Sequence, residues 1–340
     1  MLFIGPTLLS GIGQVTKRYA DRVGGEYKEF NHPVSDTIHE TGFAFVLPIE
    51  SQLDQVDRHL ANCTHRMYMT VCETETVHPV YGILVNRYKK LYVPSEFCKQ
   101  IFERQFPHGE FVVLRHATAL VEYDLVGQGV PDDEPYVFYT IGNVADPRKN
   151  IKMLLEAFIR LDVPNVRLLI KATCRQPYEL KIPGVLVLNN LMTDEELDAI
   201  HLITHCYVNC SHSEGVGMGA VEAAVRDKPV ILTEYGGLKE YIPASPFVVS
   251  CTRTTVGQDD FLYTKDMEWG KPSLDDLIRH MRHCATHRLT RWDHSATRTL
   301  INESLDGFGG AALDPVVGTV KNEGEQQGRV DDESLLGPEV

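Results

Sequence analysis

The chain has 340 residues, more than one hydrophobic core comfortably supports, so two domains are expected. An apolar fraction of 43% and a charged fraction of 24% suit a globular protein. The formal net charge of −14 argues against a nucleic-acid partner but leaves room for a local basic pocket, and the lack of any 18-residue apolar run predicts no transmembrane segment while leaving a peripheral membrane contact open.

Leu2–Gly5 reads as a short buried strand. The opening MLFIGPTLLSGIGQV is too short and too poor in basic residues for a signal peptide. SGIGQVTKRYA then turns on Gly11 and Gly13 into a helix, whose first amides suit a phosphate or a sugar hydroxyl; a plain tight turn is the competing reading. Thr16 stands where the dinucleotide fingerprint GxGxxG needs its third glycine, which counts against a nicotinamide oxidoreductase. FAFVL at 43–47 is a second buried strand. HRMYMTVC follows, then the polar run ETETVHP. YKKLYVPSEF reads as strand then helix with Ser95 as N-cap, and FVVLRHAT at 111–118 repeats the theme. Short apolar strands alternating with helices predict an α/β fold with a mainly parallel sheet.

LVGQGVPDDEP, residues 125–135, marks a linker. The rhythm then restarts: strand YVFYTIG, helix ADPRKNIKMLLEAFIRL, strands VRLLIKAT and VLVLNN, helix TDEELDAIHLI with a Thr193/Glu196 capping box, strand CYVNCS, helix MGAVEAAVRD and strand PVILT. Late helices cover SLDDLIRHMRHCATHRL and RWDHSATRTLINESL. From Asp306 the chain is glycine-rich, with eight acids against Lys321 and Arg329, and reads as a disordered tail. The expected domains are 1–125, completed by a helix at 291–305, and 134–285, followed by the tail 306–340.

Eight cysteines without a CxxC pair make no disulfide framework and point to a reducing compartment, the cytoplasm. Cys206, Cys210 and His212 are close in sequence, but a strand there favours structural thiols over a metal site. The chemistry concentrates in HSEGVGMGAVEAAVRDKPVILTEYGG, residues 212–237. Glu214 falls in the loop after a strand, where open α/β sheets bind ligands. Gly215, Gly217 and Gly219 let backbone approach a ligand, and the helix start suits anionic oxygens. Glu222 lies one turn into an apolar helix and needs a partner: a vicinal diol of a ribose or hexose, or an arginine. Arg148 and Lys149 oppose the dipole of the helix they are expected to start, which an anion such as diphosphate would relieve; a solvated pair is the plainer alternative.

In order, SGIGQV, CETETVHP, YVPSEFCKQIF, VVLRHAT, GNVADPRKNIKMLLEAF and SEGVGMGAVEAAVRDKPVILTEYGGLKEYI resemble the GT-B glycosyltransferases, specifically family 4. The resemblance runs from about residue 9 to 242. It implies two facing Rossmann-like domains with a cleft between them, and retaining transfer of a hexose from a nucleoside-diphosphate sugar to a glycan-type acceptor. It assigns Glu214 to the donor hexose, Glu222 to the donor ribose, and Lys149 with Arg148 to the diphosphate. Gly217 and Met218 fall near sugar and phosphates, Gly11 and Gly13 face diphosphate and acceptor, and Gly142 and Asn143 end the first strand of the second domain. Lys171–Thr173 and Asn190–Met192, including Leu191, are expected near the base. Glu73, Glu75 and His78 are candidates for the acceptor side, with a solvated loop as the alternative.

The chain departs from the family pattern at Asn143, often arginine; at Val216, usually phenylalanine; at Gly219, commonly proline; and at His116-Ala117-Thr118-Ala119 in place of His-Gly-Val-Asp. No Asp-x-Asp triplet occurs, so no metal and no cofactor beyond the sugar nucleotide is expected. The donor leans to GDP-mannose on family prevalence, with UDP-hexoses as the other choice. A nucleotide-sugar epimerase and a non-catalytic sugar-nucleotide-binding protein with a decayed site are the alternatives.

Overall fold

A computed structural model describes residues 1–8, 10–34, 36–116, 118, 130–131, 133–173, 177–260 and 262–311, those from 304 onward by backbone alone. Two six-stranded parallel sheets organise them. The first half contains β1 (Leu2–Gly5), α1 (Gly11–Arg22), β2 (Glu26–Glu29), β3 (His39–Phe45), α2 (Glu50–Leu60), β4 (Cys63–Met69), α3 (Gly82–Arg87), β5 (Lys90–Val93), α4 (Glu96–Gln105) and β6 (Glu110–Val113). The second contains β7 (Tyr136–Gly142), α5 (Ile151–Ile159), β8 (Val166–Ala172), β9 (Val185–Leu188), α6 (Asp194–Ile203), β10 (Cys206–Asn209), α7 (Met218–Val225), β11 (Val230–Thr233), α8 (Leu238–Tyr241), β12 (Val248–Val249), β13 (Cys251–Thr255), β14 (Glu268–Pro272), α9 (Leu274–Thr286) and α10 (Ser295–Ala311).

The strands alternate their side chains between two apolar layers, as a sheet covered on both faces requires. In the second sheet, Phe138, Leu168, Val208 and Ile231 pack with Leu154 of α5 and Met281 of α9. Their neighbours Tyr139, Leu169, Tyr207 and Val230 pack on the other face with Ala220 and Ala224 of α7. The first sheet divides likewise, with Ile4 and Leu91 on one face and Phe3, Phe43 and Tyr92 on the other. Side-chain caps fix the helix starts. Ser10, Ser95 and Ser273 accept from the third helical amide, and Thr193 and Glu196 form the expected capping box.

The order of the second sheet is β12-β11-β10-β7-β8-β9. The chain winds outward from β7 through β8 to β9, then returns and winds the other way from β10. The carboxyl ends of β7 and β10 are therefore the topological switch point, where such sheets bind ligands. The first sheet, β2-β1-β3-β4-β5-β6, reverses at β1, which puts the start of α1 at the corresponding place.

Three expectations change. Arg148 and Lys149 do not start an α-helix. Pro147–Lys149 form a 3-10 turn, Asn150 takes a left-handed conformation at φ 54°, and α5 begins only at Ile151. The late helix starts at Ser295 rather than Arg291 and runs past Leu305 to Ala311. It does not complete the first domain: Ile301 is buried in the second-domain core beside Tyr139 and Ala220, and Arg298 pairs with Asp227. Of the linker expected at 125–135, residues 125–129 and 132 lie outside the described residues; of the tail expected at 306–340, residues 306–311 belong to α10 and 312–340 lie outside them. Sequence reading also passed over β2, α2 and the antiparallel ribbon β13–β14, whose Arg253 reaches Glu75 of the first domain.

Candidate functional site

The loops after β7 and β10 meet at Glu214. Ser211, in the loop, donates its hydroxyl to Glu214 Oε1 (2.7 Å), and Asn209, at the end of β10, donates its amide to the same oxygen (3.1 Å). Lys149 Nζ donates to Oε1 (2.7 Å) and Arg148 Nη1 donates to Oε2 (2.9 Å). Burial alone would raise this carboxyl's pKa. Lys149 and Arg148 outweigh that and hold it well below the usual carboxylate range. A carboxylate 4% exposed thus stays ionised because two cations share it.

Arg148 is more heavily engaged than Lys149. Its guanidinium lies 2.9 Å from Glu73 Oε2, 3.1 Å from Asp146 Oδ2 and 2.9 Å from Glu214, and it also donates to the Ser213 carbonyl (2.8 Å). Such a guanidinium is a scaffold, its planar fork matching several oxygens at once. Lys149 lies half-buried beside the end of β7, its stem 3.6 Å from the position a Cβ would take on Gly142. Glu73 comes from the first domain. Burial raises its pKa, Arg148 opposes this, and Tyr263 donates its hydroxyl to Glu73 (2.6 Å).

Glu222 sits on α7, 8% exposed. Arg18 of α1 pairs with its Oε1 across the two domains, and His201 Nε2 lies 3.8 Å from its Oε2. Burial would raise its pKa; Arg18 and then His201 bring it down to about 2. The arginine alternative for Glu222 is present, but the arginine belongs to the opposite domain. A carboxylate carries about four acceptor positions, so Arg18 leaves room for a diol.

The glycines frame these groups. Gly217 holds the left-handed conformation (φ 77°) that opens α7, where no side chain caps the helix among the described residues. Met218 follows it and lies 4.0 Å from where a Cβ would stand on Gly11, so α1 and α7 abut across the cleft. Gly13, by contrast, gives its amide to Ser10. Gly237 and Gly215 allow tight approaches: a Cβ on Gly237 would lie 2.2 Å from the Gly215 carbonyl and 2.6 Å from Ser95 Oγ of the first domain, and one on Gly215 would lie 2.3 Å from a Val71 methyl of that domain.

The structure thus brings together Glu214, Lys149, Arg148 and Gly142 in one cluster, and Glu222, Gly217, Met218 and Gly11 along the α1–α7 contact. Asn143 is exposed and accepts from the Ala145 amide through its side chain (3.1 Å). Lys171 is buried at the end of β8 and donates to the Ala172 carbonyl (2.7 Å), while Leu191 is 77% exposed. The acceptor-side candidates are held by protein groups: Glu75 by Arg104, Arg253 and Tyr235, and His78 by the Val80 amide. Sequence reading missed Asp146, Asn209, Ser211 and Arg18 as partners. Arg18 carried a signal, since it lies seven residues after Gly11 and so shares its helix face.

Cys206 and Cys210 are buried free thiols, and no group of His, Cys, Asp or Glu suited to a metal ion occurs among the described residues. No helix among them is long and apolar enough to cross a membrane.

Residues 125–245 match the family model for glycosyl transferases group 1. No curated protein matches the chain. Among solved structures, the pneumococcal O-GlcNAc transferase GtfA, in complex with UDP and GlcNAc, aligns with a TM-score of 0.54 at 11% identity, over 81% of this chain and 57% of its own. TarM aligns at 0.53 and 12% identity, over 81% of this chain and 55% of its own. The chain therefore spans little more than half of those two proteins. The lipopolysaccharide outer core galactosyltransferase WaaB aligns at 0.54 and 12% identity, over 91% of this chain and 98% of its own. At such identities the likeness speaks for the fold: the chain has the GT-B fold of these glycosyltransferases, and its second domain carries the glycosyl transferases group 1 match.

Proposed function

We propose that this protein is a retaining glycosyltransferase of family 4 that moves a hexose from a nucleoside-diphosphate sugar to a hydroxyl of a glycan-type acceptor. The observation that carries it is the convergence of Glu214, Lys149 and the open start of α7 at the switch point, with Glu222 one turn further along the same helix. Lys149 and the first amides of α7 suit a diphosphate, whose leaving-group charge they stabilise as it develops. Arg148, expected beside the diphosphate, is instead engaged by Glu73, Asp146 and Glu214 and serves catalysis here as a positioning residue that holds Glu214. Glu214 orients the hexose and favours positive charge on its anomeric carbon, and Glu222 accepts from the ribose hydroxyls. In this reading the acceptor attacks from the leaving-group face, and a diphosphate oxygen takes its proton. Gly13, Asn143, Lys171 and Leu191 stay on the proposed donor path, though Gly13, Asn143 and Lys171 act here through backbone or local bonds.

GDP-mannose and UDP-hexoses are the donors to test; UDP bound to GtfA makes the UDP sugars the first choice. Calorimetric titration with UDP, GDP and ADP sugars names the donor, and acceptor-dependent release of free nucleoside diphosphate separates transfer from epimerisation and from binding alone. A chain that binds no sugar nucleotide in this panel is the decayed-site protein instead.

A further inference from the structure

Two of the site's side chains are fixed from the opposite domain. Arg18 of α1 pairs with Glu222 of α7, and Glu73, after β4, pairs with Arg148, after β7. Neither first-domain residue is idle surface charge. The Arg18 side chain is 17% exposed and that of Glu73 18%. Each is further tied to the second domain: Arg18 lies 4.0 Å from Asp194, and Glu73 accepts from Tyr263. Ion pairs buried to this degree are not interchangeable with exposed ones, because breaking one leaves a charge without water or partner.

The pairs lie at two places along the same seam. Between and beside them, backbone amides of the first domain bond to the second. Glu75 N–H donates to the Glu268 carbonyl (2.8 Å), Glu96 and Phe97 N–H donate to the Glu240 carboxylate (2.9 and 2.7 Å), and His116 N–H donates to the Tyr241 hydroxyl (2.9 Å). These amides are covered only while the domains meet, so each reports closure at a distance from the charges themselves.

We propose that Arg18 and Glu73 are positioning residues that couple domain closure to the donor site. Arg18 arrives with the first domain and aims Glu222; Glu73 arrives with it and completes the carboxylate set around Arg148, which in turn holds Glu214. Closure thereby sets both glutamates of the motif from one side. The inference rests on the glycosyltransferase reading for what the two glutamates bind, but the coupling itself is a property of the two domains.

Hydrogen exchange read by mass spectrometry on the full chain tests it, comparing wild type with Arg18→Met, Arg18→Lys and Glu73→Gln. Exchange at Glu75, Glu96, Phe97 and His116 should rise about tenfold or more in Arg18→Met and Glu73→Gln, while the strand amides of β3 and β8 keep their protection. Arg18→Lys, which keeps the charge, should retain most of the wild-type protection. In turnover assays Glu73→Gln, acting through Arg148 on Glu214, should lose kcat with a smaller change in donor KM, whereas Arg18→Met, acting on the ribose contact Glu222, should raise donor KM more than it lowers kcat. Unchanged exchange at the four seam amides overturns the proposal. So does equal loosening of the core strands in Arg18→Met and Arg18→Lys, which would make Arg18 a packing residue only. If wild type transfers no sugar, the glycosyltransferase reading fails, and the seam amides still decide the coupling.

Discussion

Glu214 and Glu222 belong to one motif and both are buried as carboxylates, yet they are held in opposite ways. Glu214 accepts from Asn209, Ser211, Lys149 and Arg148, all in the second domain. Glu222 has its close ion-pair partner, Arg18, in the first. A carboxylate whose direct partners all lie in one domain keeps them wherever the other domain goes, and feels closure only at one remove, here through Glu73 on Arg148. One satisfied across the cleft changes its surroundings with every movement of the domains. The pair therefore joins an element that closure reaches only indirectly to one that closure sets directly, which suits a firmer contact to the transferred group and a more adjustable contact to the carrier.

The sharpest way to break this contrast is Glu214→Gln. The side chain keeps its shape, but its amide group presents donors where Lys149 and Arg148 also donate. Breaking a buried pair by changing one partner costs about 3–5 kcal/mol, so a large fall in melting temperature is expected together with loss of turnover. A variant that melts with wild type would show that the cluster does not hold the two loops together.

Lys149→Ala comes next. Lys149 is less encumbered than Arg148, so it is the cation expected to meet the diphosphate. Losing a hydrogen-bonded charge contact of this kind costs about 2–5 kcal/mol of binding, against a smaller effect on folding. Calorimetry with the donor's nucleoside diphosphate, beside a melting curve, separates the two. Unaltered affinity would transfer the anion site elsewhere.

Glu222→Gln should act on nucleotide affinity with roughly a tenfold rise in Kd, through loss of a charge-assisted contact to the ribose. It should also change the acid limb of stability. Glu222 has a folded pKa of about 2, below the unfolded value of roughly 4.3, so its ionised form stabilises the fold above about pH 4 and that contribution is lost as pH falls towards 2. The variant should lack this segment of the acid transition. An identical acid limb in both proteins would mean that Arg18 does not hold Glu222 in solution.

Much of this fold was legible, and the reasons are local. Leu2–Gly5, Tyr136–Gly142 and Met218–Val225 carry strand and helix patterns that burial on both sheet faces enforces. Ser95 and Thr193 mark helix starts by the bonds their own side chains make. The errors are equally local. The run ADPRKNIKM has the look of one helix, and only Asn150, which tolerates positive φ, hints that the turn holding Arg148 and Lys149 is separate. At the site, the glutamates and cations were visible because their spacing and flanking glycines are. Their partners were not, because Glu73 with Arg148 and Arg18 with Glu222 are joined by domain docking, which no local pattern encodes. The late helix failed for the same reason: its apolar residues show that it packs, not on which domain.

The smallest expected effect at neutral pH concerns His116, in the loop after β6, beside the seam. Its ring lies edge-on to Tyr19 and Phe45, and neither ring nitrogen has a hydrogen-bond partner among the described residues. Burial, with Arg18 nearby, lowers its pKa to about 3. The unfolded chain binds this proton near pH 6.5, so as pH falls below that value the unfolded state gains a proton that the folded state refuses. Stability therefore declines from about pH 6.5 downward and levels off once the folded form titrates near 3. His116→Phe fits the aromatic surroundings and removes the proton. It should match wild type within about 1 kcal/mol at pH 7.5, and exceed it by about 2 kcal/mol at pH 5, from 1.4 kcal/mol per pH unit over the interval below about 6.5. Urea unfolding at the two pH values measures both numbers. Parallel pH profiles would mean that the imidazole is partnered in solution, and the backbone bond from His116 to Tyr241 would then be its whole contribution to the seam.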